Sequence, residues 1–171
     1  MSKNKIKYQG ALTNDAKKIM NDNFSDISLC TTQFDAVTGT TGTTLTNVVG
    51  MVTESLEVGT YKFSIKASTT ATANTGITLA LKWGTASMIT SAQYTARAFT
   101  ASGVVVTKGT TATDATPLLD SAAGVVIEAD ITGVLVVAIA GTLQFQAAQH
   151  TAHADTVSVL VNSRMQFEKI A

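Results

Sequence analysis

The chain has a single cysteine, Cys30, so no disulfide can form within it and the fold has to hold without covalent staples. That usage fits folding in a reducing compartment such as a cytoplasm, with Cys30 as a small structural thiol, since no base that could activate it is close in sequence. Charge is scarce as well. Only 14% of residues are charged, against a usual fraction of about 25%. Twelve basic and twelve acidic side chains cancel, and the pI is near 6.7. A neutral chain has no long-range field with which to gather phosphate polymers or anionic lipid, so nucleic-acid and membrane partners are disfavoured. Long apolar runs are missing too: the longest, Val134 to Ala140, is far short of the roughly 18 residues that span a bilayer. The basic start Met1 to Tyr8 is not followed by a continuous apolar stretch, so it does not read as a secretion signal, and the expectation is a soluble chain. No Gly-x-Gly-x-x-Gly, Gly-x-x-x-x-Gly-Lys or Gly-x-Ser-x-Gly occurs, which removes support for dinucleotide sites, P-loops and nucleophile elbows.

What the chain does have is threonine, 29 residues of 171, and an ordinary hydrophobic share of 45%. This length suits one domain with a short appended arm, able to bury about 70% of the surface it exposes when unfolded. Threonine supplies the polar surface that charges do not. A charge-poor neutral surface resists association badly, so a subunit of an assembly is expected.

Three regions follow one another. From Leu12 to Leu29, the residues Leu12, Ala16, Ile19, Met20, Phe24 and Ile27 recur at three- and four-residue spacing, which predicts one short helix with an apolar stripe. Thr13 or Asn14 can cap it, and Asp15 suits the positive end of its dipole. The segment Asp35 to Asn47 is rich in Gly and Thr with scarcely an apolar anchor, and reads as a linker or extended arm. The division is therefore an N-terminal arm over 1–47 and a β domain over 48–171.

From Val48 onward the period is two. Tyr61, Phe63, Ile65 and Ala67 alternate with Lys62, Ser64 and Lys66, and Ile77, Leu79, Leu81 and Trp83 alternate with Thr78, Ala80 and Lys82. The pattern returns at Val125, Ile127, Ala129 and Ile131; at Leu143, Phe145 and Ala147; at Val157, Val159 and Val161; and at Met165 and Phe167. Half-buried strands separated by Gly, Asn, Asp or Pro predict an all-β sandwich or barrel. Trp83 shares the inward parity of Ile77, Leu79 and Leu81 and is expected in the core. Val134 to Ala140 breaks the alternation, so both faces of that strand should be covered, either by a neighbouring subunit or by a helix of the same chain.

Candidates for chemistry are few. His150, His153 and Asp155 lie close together but match no metal-ligand spacing and read as a loop. Glu54 with Glu57, and Glu128 with Asp130, are paired carboxylates; the second pair shares one strand face, and solvated faces explain both. Asn23-Phe24-Ser25 fits a glycosylation triplet but lies on the expected helix. No catalytic residue, metal ligand or cofactor is assigned.

Two stretches carry a resemblance. Leu12 to Ile27, reading Leu-Thr-Asn-Asp-Ala-Lys-Lys-Ile-Met-Asn-Asp-Asn-Phe-Ser-Asp-Ile, is similar to the short helix with an Asn-x-Asn-Phe core near the start of many tailed-phage virion proteins. The run from Ala140 to Gln149, Ala-Gly-Thr-Leu-Gln-Phe-Gln-Ala-Ala-Gln, then Asp155 to Val161 and Ser163 to Ile170, resembles the closing strands of phage head decoration and fibre proteins with a trimeric jelly-roll fold. The resemblance implies a jelly-roll β-sandwich and a non-enzymatic capsid decoration, or cement, protein. Its partners would be itself, as a homotrimer, and the major capsid protein, and its place the virion, assembled in the host cytoplasm. Trimerisation would add weak contacts together by raising effective concentration. The apolar run assigns the trimer contact to Val134, Val136, Ala138 and Ala140, and the helix stripe assigns capsid docking to Ile19, Met20, Phe24 and Ile27. A tail or head fibre tip binding a host receptor is the second reading, and a secreted sugar-binding or enzyme module the third. The major capsid protein itself is disfavoured, because that role needs a longer chain.

Overall fold

The computed structural model describes residues 29–33, 38–72, 74–111, 114, 116–122 and 125–171. Among them are twelve strands and no helix: β1 (Leu29–Gln33), β2 (Thr38–Thr40), β3 (Thr46–Val52), β4 (Gly59–Thr70), β5 (Ile77–Trp83), β6 (Ile89–Thr100), β7 (Gly103–Thr111), β8 (Pro117–Ser121), β9 (Val126–Val137), β10 (Leu143–Ala148), β11 (Val157–Val159) and β12 (Arg164–Lys169). They form two antiparallel sheets with one hydrophobic core between them, the arrangement of a β-sandwich. The larger sheet runs β1-β12-β4-β9-β6-β7, with β11 beside the end of β4 and β2 beside β11; the smaller runs β3-β10-β5-β8. From β3 to β11 the chain changes sheet at every connection except the tight turn between β6 and β7.

The alternating pattern explains most of this core. Tyr61, Phe63, Ile65 and Ala67 point inward from β4, Ile77, Leu79, Leu81 and Trp83 from β5, Leu143, Phe145 and Ala147 from β10, and Met165 and Phe167 from β12. One rung across the inner face of the large sheet sets its shape. Gly109, Tyr94, Gly133, Phe63 and Phe167 lie opposite one another on β7, β6, β9, β4 and β12. The two glycines leave room for the rings beside them. A Cβ on Gly109 would meet the Tyr94 hydroxyl at 2.6 Å, and one on Gly133 would strike the Gln93 carbonyl and approach Phe63 Cε1 at 2.8 Å. Phe63 and Phe167 stack with centroids 5.9 Å apart, and the Tyr94 hydroxyl donates to the Pro117 carbonyl of the smaller sheet at 3.2 Å.

The sequence pattern misplaces three features. Val125 and Ile127 do not continue the inward parity of Ala129 and Ile131: Ile127 is 53% exposed while Val126 is buried. The cause is a bulge, since Phe99 pairs with Glu128 but Thr100 pairs with Val126, so the extra residue Ile127 flips the parity beyond it. Val161 is exposed in a turn, because β11 ends at Val159. The apolar run at Val134 is not covered on both faces among the described residues. Leu135 and Val137 enter the core, Val134 is 39% exposed, Val136 is half-buried, and β9 ends before Ala138.

The ladders of β1 with β12 and of β2 with β11 carry sheet structure across the division at Asn47 read from the sequence. The physical reason is that an extended Thr-rich segment beside an open sheet edge satisfies its own and the edge's backbone groups by pairing. The helix expected from Leu12 lies outside the described residues as far as Ser28, and Leu29 opens β1.

Crowding at Gly133 gives a direct test. Gly133→Ala is expected to destabilise the fold by about 1–3 kcal/mol. Gly42→Ala, where a Cβ meets nothing nearer than 3.9 Å, should stay within about 0.5 kcal/mol. Denaturant melts of the two variants read the contrast, and equal effects would remove the packing role given to Gly133.

Candidate functional site

The outward residues of the large sheet stand in register. One rung is Arg97, Asp130, Lys66 and Arg164 on β6, β9, β4 and β12; the next is Thr95, Thr132, Ser64 and Gln166; the next is Gln93, Val134, Lys62 and Glu168. On β7, Val106, Lys108 and Thr110 continue these rungs to the sheet edge. Five cations, Lys62, Lys66, Arg97, Lys108 and Arg164, thus share the face with three carboxylates, Glu128, Asp130 and Glu168. Asp130 Oδ1 is buried and accepts no hydrogen bond among the described residues, and its register partners on the flanking strands are Lys66 and Arg97.

This face is shallowly dished and wide open to solvent. Two adjoining depressions, of about 600 Å³ and 330 Å³, meet at Thr132 and Gly133. Gln93, Thr95, Lys108 and Thr110 line the first, and Lys62, Ser64, Gln166 and Glu168 the second. Most of the lining side chains end in a hydroxyl, amide or amine, and Val134 adds an aliphatic one to the first depression. Four positions were expected at a trimer contact, and the structure puts two of them, Val134 and Val136, on this outer face. Ala138 and Ala140 are exposed in the connection between β9 and β10. β9 has a strand on each side, so only its outer face is open to a partner. Ile19, Met20, Phe24 and Ile27, expected to dock to a capsid, lie outside the described residues.

The His150 to Asp155 segment is a loop after β10. No group of three or more His, Cys, Asp or Glu residues placed to hold a metal occurs among the described residues. His153 and Asp155 meet each other at 3.2 Å, whereas His150 Nδ1 lies 2.6 Å from Asp120 Oδ1, which also accepts from the Thr78 hydroxyl at 2.6 Å. The sequence reading missed Asp120; its only signal is the antiparallel pairing of Thr78 with it, which no local pattern reveals. Gln149 anchors the loop, its amide donating to the Asp155 carbonyl and its oxygen accepting from His153 N. Gln144 does the same for a bulge in β3, where Val48 to Met51 face the single residue Phe145: its amide lies 2.9 and 3.0 Å from the Val48 and Met51 carbonyls. Glu54 and Glu57 are exposed, and nothing about them resembles an acid–base pair in a cleft.

No family model matches the chain, and no curated protein matches it.

Asp120 supplies a pH test. Partial burial raises its pKa, but the hydrogen bonds from His150 and Thr78 and the charge of His150 outweigh this and hold it below its ordinary 3.8. A carboxylate depressed on folding stabilises fully above its unfolded value and loses that stabilisation as pH falls through the lower, folded one. The thermal midpoint should therefore drop on acidification below pH 3.8, and Asp120→Asn should flatten that limb slightly, because the group is half exposed. Identical acid limbs in the two proteins would show that the contact is not formed in solution.

Proposed function

We propose that this chain is a non-enzymatic capsid decoration, or cement, protein of a tailed phage, a jelly-roll domain that trimerises and holds the head lattice by adhesion. The strand order supports the jelly-roll reading. Setting aside β2, β11 and the inserted β6–β7 hairpin, β1-β12-β4-β9 and β3-β10-β5-β8 are two four-stranded sheets between which the chain alternates except from β5 to β8, as in a wrapped double Greek key. The observation that carries the functional reading is the outer face of β9, where Val134 is exposed and Val136 half-buried among the polar side chains of the neighbouring strands. Apolar residues in mid-sheet, on a chain of zero net charge, favour cover by another subunit. The resemblance of the Leu12 to Ile27 stretch to phage virion proteins supplies the lattice side of the reading, with Ile19, Met20, Phe24 and Ile27 as docking residues.

Multi-angle light scattering of the purified chain is expected to give a trimer, and undecorated phage heads mixed with it should become decorated in electron micrographs. Val136→Asp places an unpaired charge at the proposed contact, so it should yield a monomer with a nearly unchanged thermal midpoint. A monomeric parent protein, or a Val136→Asp variant that assembles normally, would count against the trimer.

Docking is tested separately. Removal of residues 1–28, which leaves β1 in place, should spare the fold and the oligomer while weakening attachment to heads by at least about tenfold, the loss of one good contact per subunit multiplied through the trimer. Heads decorated as tightly by the shortened chain would take the stripe out of docking.

A further inference from the structure

Resting on the trimer reading, we propose that the dished outer face of the large sheet receives the β3 edge and the β3–β4 connection of a second copy of this chain. Shape comes first. Two dished faces brought together about a twofold axis would meet at their rims and enclose the depressions of both copies, whereas protein interfaces pack to interior density. The occupant therefore has to be convex. β3 provides such a surface: it is an edge strand, and its bulge turns outward at Gly50, whose φ is +79°. Val48 and Met51 are buried beneath the bulge, while Val49 is 63% exposed, Val52 41% and Val58 58%.

Charge gives the second match. From Thr38 to Tyr61 the chain contains no Lys or Arg, and its two charges there are the exposed Glu54 and Glu57. The receiving face has five cations against three carboxylates; Lys108 and Val134 line the first depression, and Lys62, paired in register with Glu168, lines the second. An acidic ridge with exposed valines thus meets a face on which cations outnumber carboxylates and Val134 is exposed. Such a contact is heterologous, one patch against a different one, and heterologous contacts close into rings such as trimers. Electrostatic complementarity of this kind fixes register and excludes the like-with-like pairing of two such faces.

Charge exchange tests the pairing. Glu54→Lys with Glu57→Lys, and separately Lys62→Glu with Lys108→Glu, should each raise the apparent dissociation constant of the oligomer at least about tenfold in light scattering. The four substitutions combined restore opposite signs and should recover assembly; they leave net charge as in the parent, so a general charge effect cannot produce the recovery. All four side chains are exposed, and thermal melts check folding. Parent assembly should also weaken as salt rises from about 50 to 500 mM, a reading that needs no variant. A trimeric parent whose assembly ignores both the double substitutions and salt, or a folded quadruple variant that fails to recover, would overturn this pairing and leave the trimer standing. A monomeric parent would overturn both.

Discussion

The sandwich depends on one row of residues, two glycines set among three aromatic rings, across the inside of its larger sheet. Gly109, Tyr94, Gly133, Phe63 and Phe167 occupy neighbouring strands at one level, and each ring needs the bare backbone or the ring next to it. Because Gly133 has no Cβ, Phe63 and Tyr94 both fit beside β9, the central strand of that sheet. Tyr94 then reaches across to the Pro117 carbonyl, fastening the β6–β7 hairpin to β8. Burial raises the pKa of its phenol, so the hydroxyl stays protonated and able to donate throughout the ordinary pH range.

A chain poor in charge secures its irregular backbone with amides instead. Gln144 gathers the carbonyls that the β3 bulge takes off the ladder, and Gln149 ties the turn after β10 from both ends of its side chain. Thr53 completes this pattern: its hydroxyl accepts from Leu143 N at 2.8 Å where β3 has already ended. Neutral hydrogen bonds of this kind each contribute about 0.5–1.5 kcal/mol, and losing one partner of a buried pair costs more. The small sheet is therefore held at its edge by groups that do not respond to salt.

Much of the architecture could be read from the residues in order. Period-two alternation is a local property, so the inward residues of β4, β5, β10 and β12 were legible, Trp83 included. Bulges are not local: Ile127 is set outward by how β9 pairs with β6, and nothing in Val125 to Ile131 announces it. The same holds for β1 and β2, whose Thr-rich sequences gain structure only from open edges lying far along the chain. The candidate surface was legible in part. The apolar run marked Val134 and Val136, but the dished face around them is built from residues of five strands, and the contact between Asp120 and His150 joins β8 to a loop distant in sequence.

The position of β12 has a consequence for how the chain is made. β12 lies between β1 and β4 in the large sheet, yet β4 ends at Thr70 and β12 begins only at Arg164. During synthesis β4 has neither neighbour until β9 emerges, and it keeps one edge bare until β12 follows the other described strands from the ribosome. Pairing over such separations is slow, in the millisecond-to-second range for sandwiches of this type. An edge left bare that long is a template on which a strand of another chain can pair first, so the topology carries a misassembly hazard that the finished sandwich no longer shows.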